Sequence, residues 1–215
     1  MFVGHYSAAF AAVALPKAPK LGTLFVAAQL VDVAFFSFLP LGIEHMRIVP
    51  GTAVMNPMDL YDMPWTHSLL GAFFWALGFA VALRLIIGNW TVGMIGGAVV
   101  VSHWFIDLIV HVPDLTIAGQ PPRLGLGLWN YPMIAMPLEI GLLLGSAWVY
   151  ARATQPTSTR VALPVLLVVL LALQAFNWFG PPPGTVDAGV WAMGLLAYAI
   201  AAALAWWVAS NRIPR

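Results

Sequence analysis

Six stretches of this chain are apolar over the length that a helix needs to cross a bilayer: about residues 21–43, 66–87, 90–111, 132–151, 161–179 and 186–208. That length is roughly 20 residues for a hydrocarbon core of about 30 Å. A seventh stretch, residues 1–15, is apolar but short. It lacks the basic start of a secretory signal, and Lys17 and Lys20 follow it, so it reads as a retained helix. The pattern predicts an all-α fold, a polytopic membrane bundle of about seven helices with the first one short. One transmembrane domain is expected over 1–215, with polar motifs in 1–131 and additional packing helices in 132–215. Composition agrees: 8% of the residues are charged, against about 25% in a soluble domain.

The basic residues predict an orientation. Lys17, Lys20, Arg84, Arg152, Arg160, Arg212 and Arg215 fall on one side of a seven-helix bundle, and only Arg47 and Arg123 on the other. By the positive-inside rule the N-terminus is outside and the C-terminus cytoplasmic. The expected location is a cell (inner) membrane, multi-pass. The two longest loops, about 44–65 and 112–131, then lie together on the outer side. A formal net charge of +1 argues against a nucleic-acid partner.

Charged side chains inside a span cost at least about 2.5–3.5 kcal/mol and are functional candidates by default. Asp32 lies in the second helix and Glu139 in the fifth. His103, Asp107 and His111 follow one another at i, i+4 and i+8 on one face of the fourth. His5, His45 and His67 sit near helix ends. Counting the helical rise from the cytoplasmic side puts His5 at roughly 18 Å, Asp32 at 17 Å, His103 at 20 Å and Asp107 at 26 Å. His45 and His67 lie at the outer ends of their spans. Six candidate ligands, His5, Asp32, His45, His67, His103 and Asp107, therefore share the layer between mid-membrane and outer surface, and Glu139 falls in it too. For a lone residue such as Asp32, the alternative is a hydrogen bond between helices.

With no cysteine in the chain, any metal is held by nitrogen and oxygen. Such a set suits a divalent ion, zinc first and manganese or iron as alternatives, as one ion or two. A bound ion lowers the pKa of water to about 7, and a pair of ions suits phosphoryl displacement. Glu44 and Glu139 are candidate general bases. Arg47 is a candidate for holding a phosphate oxygen, and Ser68 a candidate hydrogen-bond donor.

The motifs Gly4-His5, Asp32, Glu44-His45, Thr66-His67-Ser68-Leu69-Leu70 and Ser102-His103-x-x-x-Asp107 occur in that order. Together they resemble the membrane-bound predicted metal-dependent hydrolase family, which includes a LexA-regulated inner-membrane member. The resemblance covers roughly residues 1–131. It implies that His5, Asp32, His45, His67, His103 and Asp107 form the metal centre. The His-x-x-x-Asp element is also distantly similar to that of zinc-dependent phospholipase C and P1-type nucleases. The chain departs from the family at Met63-Pro64-Trp65, where members often carry His-Arg-Gly, and in the separation of Asp32 from Glu44-His45.

The leading expectation is a metal-dependent hydrolase acting on a membrane-associated ester, of phospholipid-type phosphoester. A metal-binding or transport protein and a non-catalytic accessory subunit are the alternatives. Expected partners are the lipid bilayer, a lipid substrate, and a second copy or another membrane subunit.

Overall fold

A bilayer offers backbone N–H and C=O groups no partner but one another, so each apolar stretch closes its hydrogen bonds within itself as a helix. The computed structural model describes all 215 residues and is helical in this way. After a 3-10 turn at Val3–His5 come α1 (Tyr6–Ala12) and α2 (Leu21–Phe38). An antiparallel hairpin of β1 (His45–Ile48) and β2 (Met58–Asp62) leads to α3 (Leu69–Ile87) and α4 (Trp90–Val110). A two-residue ladder pairs β3 (Leu115–Thr116) with β4 (Arg123–Leu124) before α5 (Pro132–Ala153). Then follow β5 (Thr154–Pro156), α6 (Ala162–Phe179), α7 (Ala188–Ser210) and β6 (Arg212–Pro214), which pairs with β5.

The six helices α2 to α7 are long and apolar enough to cross a membrane, and the chain is a multi-pass membrane protein. The segment Val3–Ala12 is too short to do so: at about 1.5 Å per residue it covers roughly 15 Å, half a bilayer core. It is instead the plug of the bundle. Tyr6 stacks on Phe25 with centroids 4.2 Å apart, and Phe10 meets the same ring edge-on at 5.1 Å. Tyr150, Leu166 and Leu170 close around them as one buried cluster.

The helices end where the backbone requires it. Helix α2 stops five residues before the apolar stretch does, because Pro40 has no N–H to continue the ladder and Gly42, at φ +65°, turns the chain away. Helix α3 starts at Ser68, whose hydroxyl accepts the Gly71 N–H, and finishes at Gly88 in the left-handed region. Helices α3 and α4 lie backbone to backbone. A Cβ on Gly93 would stand 2.4 Å from the Ala80 carbonyl oxygen, and one on Gly97 2.9 Å from that of Ala76. Close approach over small residues is how helices associate in lipid.

Alternating helices put three connections, 39–68, 111–131 and 180–187, at one end of the bundle. There they are tied together: Leu70 N–H donates to Ile117 O at 2.9 Å, Arg123 Nη2 to Tyr61 O at 2.9 Å, and Met55 N–H to Trp129 O at 3.1 Å. The opposite end is clasped by the β5–β6 pair, where Arg212 Nε donates to Thr154 Oγ1 at 2.9 Å. The aromatic plug lies toward that clasped end. The first turn of the chain, carrying His5, lies toward the loops.

Candidate metal centre

The helical period sends His103 and Asp107 to the same inner face of α4, and both are buried. Asp107 is the hub. Its Oδ1 lies 3.0 Å from His5 Nε2 and 3.5 Å from His111 Nε2. Its Oδ2 lies 3.0 Å from His103 Nε2 and 3.7 Å from His67 Nε2. Asp32, from α2, adds a second carboxylate: Oδ1 is 3.3 Å from His67 Nε2 and 3.5 Å from His103 Nε2. The amino group of Met1 also lies 2.6 Å from Asp107 Oδ1. Two three-member sets, His5–His103–Asp107 and Asp32–His67–His103, each have all their ligand atoms within 4.8 Å of one another.

Three of the four imidazoles are held from behind. His103 Nδ1 is 2.8 Å from the Ala28 carbonyl oxygen, which can only accept. His111 Nδ1 is 2.8 Å from Asp114 Oδ1. Behind His67 runs a chain. Thr66 Oγ1 donates to Glu44 Oε2 at 2.6 Å, so its oxygen is left to accept from His67 Nδ1 at 2.8 Å. Each contact places a ring proton on Nδ1 and turns Nε2 toward Asp107, and for His67 and His103 toward Asp32 as well. Oriented in this way by an acceptor on the far nitrogen, an imidazole is arranged as metal-ligating histidines are. His5 has no such support; its ring stacks on that of His103, with centroids 3.7 Å apart and planes 4° from parallel.

The donor set fits a divalent cation. Buried carboxylates inside a membrane protein need positive charge close by. The Met1 amino group supplies one such charge against the two aspartates. Moreover, His103 Nε2 and both ring nitrogens of His5 are buried without a hydrogen-bond partner. Nitrogen and carboxylate ligands suit zinc, and manganese or iron as well.

Of the residues singled out from the sequence, His5, Asp32, His67, His103 and Asp107 come together. His45 does not. It stands at the start of β1 with its Nδ1 2.8 Å from Asp62 Oδ2, and nearly half of its side chain is exposed. The hairpin register sets this direction, since His45 pairs with Asp62 across the strands. Arg47 is held away in the same hairpin, with Nε 2.6 Å from Asp59 Oδ2 and the guanidinium over the Tyr61 ring. Ser68 is engaged as the cap of α3 and donates to Pro64 O at 2.6 Å. Glu44 is fully buried behind His67, where its Oε1 accepts the N–H groups of Trp65 and Thr66. Glu139 holds the N-terminal turn: Oε1 accepts from Phe2 N–H at 2.7 Å and Gly4 N–H at 3.0 Å. Its Oε2 has one contact, Gln174 Nε2 at 3.3 Å.

Four participants lay outside the candidate set. His111 faces Asp107, and its i+4 spacing from that residue was the available signal. Asp114, in the connection after α4, anchors His111. Tyr198 of α7 donates its hydroxyl to Asp32 Oδ2 at 3.0 Å. Gln174 of α6 accepts Val3 N–H at 3.2 Å. No local pattern marks these last two, which lie in largely apolar helices.

The cluster forms the floor of a cavity of about 720 Å³. Asp32, His67, Asp107, His111 and Glu139 line it, and the 50–58 loop and Trp129 lie across its loop end. Comparison with family models, with curated proteins and with solved structures finds no match to this chain.

Proposed function

We propose that the protein is a metal-dependent hydrolase of a membrane-associated ester, of the phospholipid-type phosphoester class. The observation that carries this reading is the set of three back-anchored imidazoles whose Nε2 atoms all face Asp107, those of His67 and His103 facing Asp32 as well. His5, Asp32, His67, His103, Asp107 and His111 would hold the metal, zinc first. The two oxygens of Asp107 face different histidines, so this carboxylate would serve both sides of the cluster. When bound, such ions lower the pKa of a water to about 7 and offset the charge that a phosphoester gains on attack.

The chain's own residues prepare the site for that chemistry. Thr66 and Glu44 fix the His67 ring, and Asp114 fixes His111. Tyr198 holds one oxygen of Asp32, leaving the other for the cluster. Glu139 lines the cavity with a lightly engaged Oε2, placed to take a proton from an entering water. Glu44, sealed behind Thr66, supports the ring instead. The resemblance to the membrane-bound predicted metal-dependent hydrolases supports the same reaction class. The distribution of lysine and arginine supports an inner-membrane orientation with the cavity toward the outer side. Transport would need a polar route to the clasped end, and the plug of Phe10, Phe25, Leu166 and Leu170 stands there.

Elemental mass spectrometry of the purified protein tests the reading. One or two equivalents of a divalent transition metal are expected, together with phosphoester hydrolysis in mixed micelles that a chelator stops. His103→Ala is expected to lose both while eluting as the wild type does. Protein that binds no metal at stoichiometric level would end the reading.

A further inference from the structure

The cavity does not stop at the polar cluster. It continues between α6 and α7, where Leu173, Phe176, Met193, Leu196, Ala197 and Ile200 line it. Four of these, Phe176, Met193, Leu196 and Ile200, are also exposed. Cavity-lining side chains with this much surface uncovered stand at an opening, and all four stand on α6 and α7, so the cavity opens between these helices. On a membrane-spanning helix that mouth meets lipid rather than water. The lining of α7 runs from Val190 to Ile200, about 15 Å at the helical rise, which is the depth of one leaflet of a 30 Å core. One end of the space is thus polar and buried at the metal ligands. The other is apolar, one leaflet long and open to the bilayer.

We infer that this arm of the cavity holds an acyl chain of a glycerophospholipid, which enters sideways between α6 and α7 and brings its phosphoester to the Asp32–Asp107 cluster. This names the substrate class of the proposed hydrolase and rests on that reading. A water-soluble phosphoester would leave the apolar arm empty. Lateral entry also gives α6 and α7 a task, forming the wall along which the lipid slides.

The test is lipid retention, measured by native mass spectrometry after exchange into detergent, with palmitoyl-oleoyl phosphatidylglycerol as the probe and zinc content determined on the same samples. The wild type is expected to keep one lipid. Ala197→Trp fills the arm from α7 and Leu173→Trp from α6. Each is expected to lower retention about tenfold, the effect of excluding a few methylenes from apolar contact. Using both walls guards against one variant failing to fold. Leu85→Trp, on the lipid face of α3 away from the cavity, is expected to retain lipid as the wild type does. Wild-type retention in both filled variants would overturn the inference, as would an equal loss in Leu85→Trp. Zinc bound with retention unchanged by filling leaves the metal reading standing and removes this one. The expected retention pattern without zinc does the reverse.

Discussion

Helices α4 and α7 are similar in length and hydropathy, yet they are used in opposite ways. Half of the apolar window of α4 is buried inside the protein, against 17% for α7. Helix α4 carries His103 and Asp107 in its C-terminal half and packs on α3 through glycines. Helix α7 sends one polar group inward, the Tyr198 hydroxyl, and turns Met193, Leu196 and Ile200 outward. The contrast teaches that hydropathy selects membrane helices without ranking them. Burial inside the bundle makes a charged residue tolerable, because only there do neighbouring helices supply partners for it. The peripheral helix serves as wall and as remote support.

This contrast can be broken by substitution, and the expected effects fall in order from the hub outward. Asp107→Asn keeps the shape of the hub and removes its charge. Its metal affinity, measured by competition with a chromogenic chelator, is expected to drop by more than about a hundredfold, beyond the usual cost of losing a supporting contact. Thr66→Val cuts the chain that orients His67, and a loss of about 10–100-fold in metal affinity is expected in the same assay. An unchanged affinity there would show that the ring needs no support from Glu44. Tyr198→Phe asks whether the peripheral helix takes part at all. Loss of its bond to Asp32 is expected to cost about 1 kcal/mol in thermal unfolding, together with a small drop in metal affinity. At the small end, Leu85→Ala on the outer face of α3, where Leu85 is 77% exposed, is expected to change stability by less than about 0.5 kcal/mol. A large effect at Leu85 would mean that this face is covered by a partner rather than by lipid.

Much of the architecture was legible beforehand because its causes are local. Each long helix closes its own hydrogen bonds, so an apolar run of sufficient length announces a span whatever it packs against. The largest boundary shift is in α2, which Pro40 and Gly42 cut short, while the other long helices differ by three residues or fewer at either end. The shared face of His103, Asp107 and His111 was also readable, since it follows from the helical period alone. The placement of His111 was less evident, because a residue at a helix end reaches inward only if something beyond the helix holds it. Here Asp114 does so.

The fate of the remaining candidates depended on contacts distant in sequence. His5 and His45 both sit close to glycine or acidic neighbours near a helix end, and nothing local separates them. The register of the β1–β2 hairpin points His45 at Asp62 and outward. Glu139, 135 residues along the chain, grips the turn that carries His5 and turns that side chain into the cluster. Gln174 and Tyr198 acquire roles in the same way, through bonds spanning 171 and 166 residues. By itself, then, the sequence determined that the chain is a helical membrane bundle and that α4 carries a line of candidate ligands, because hydropathy and helical period act within one element. Only the tertiary structure decided which histidines meet and which carboxylates stay behind them. It also decided that the polar floor opens into an apolar arm, since each of these depends on which helices become neighbours.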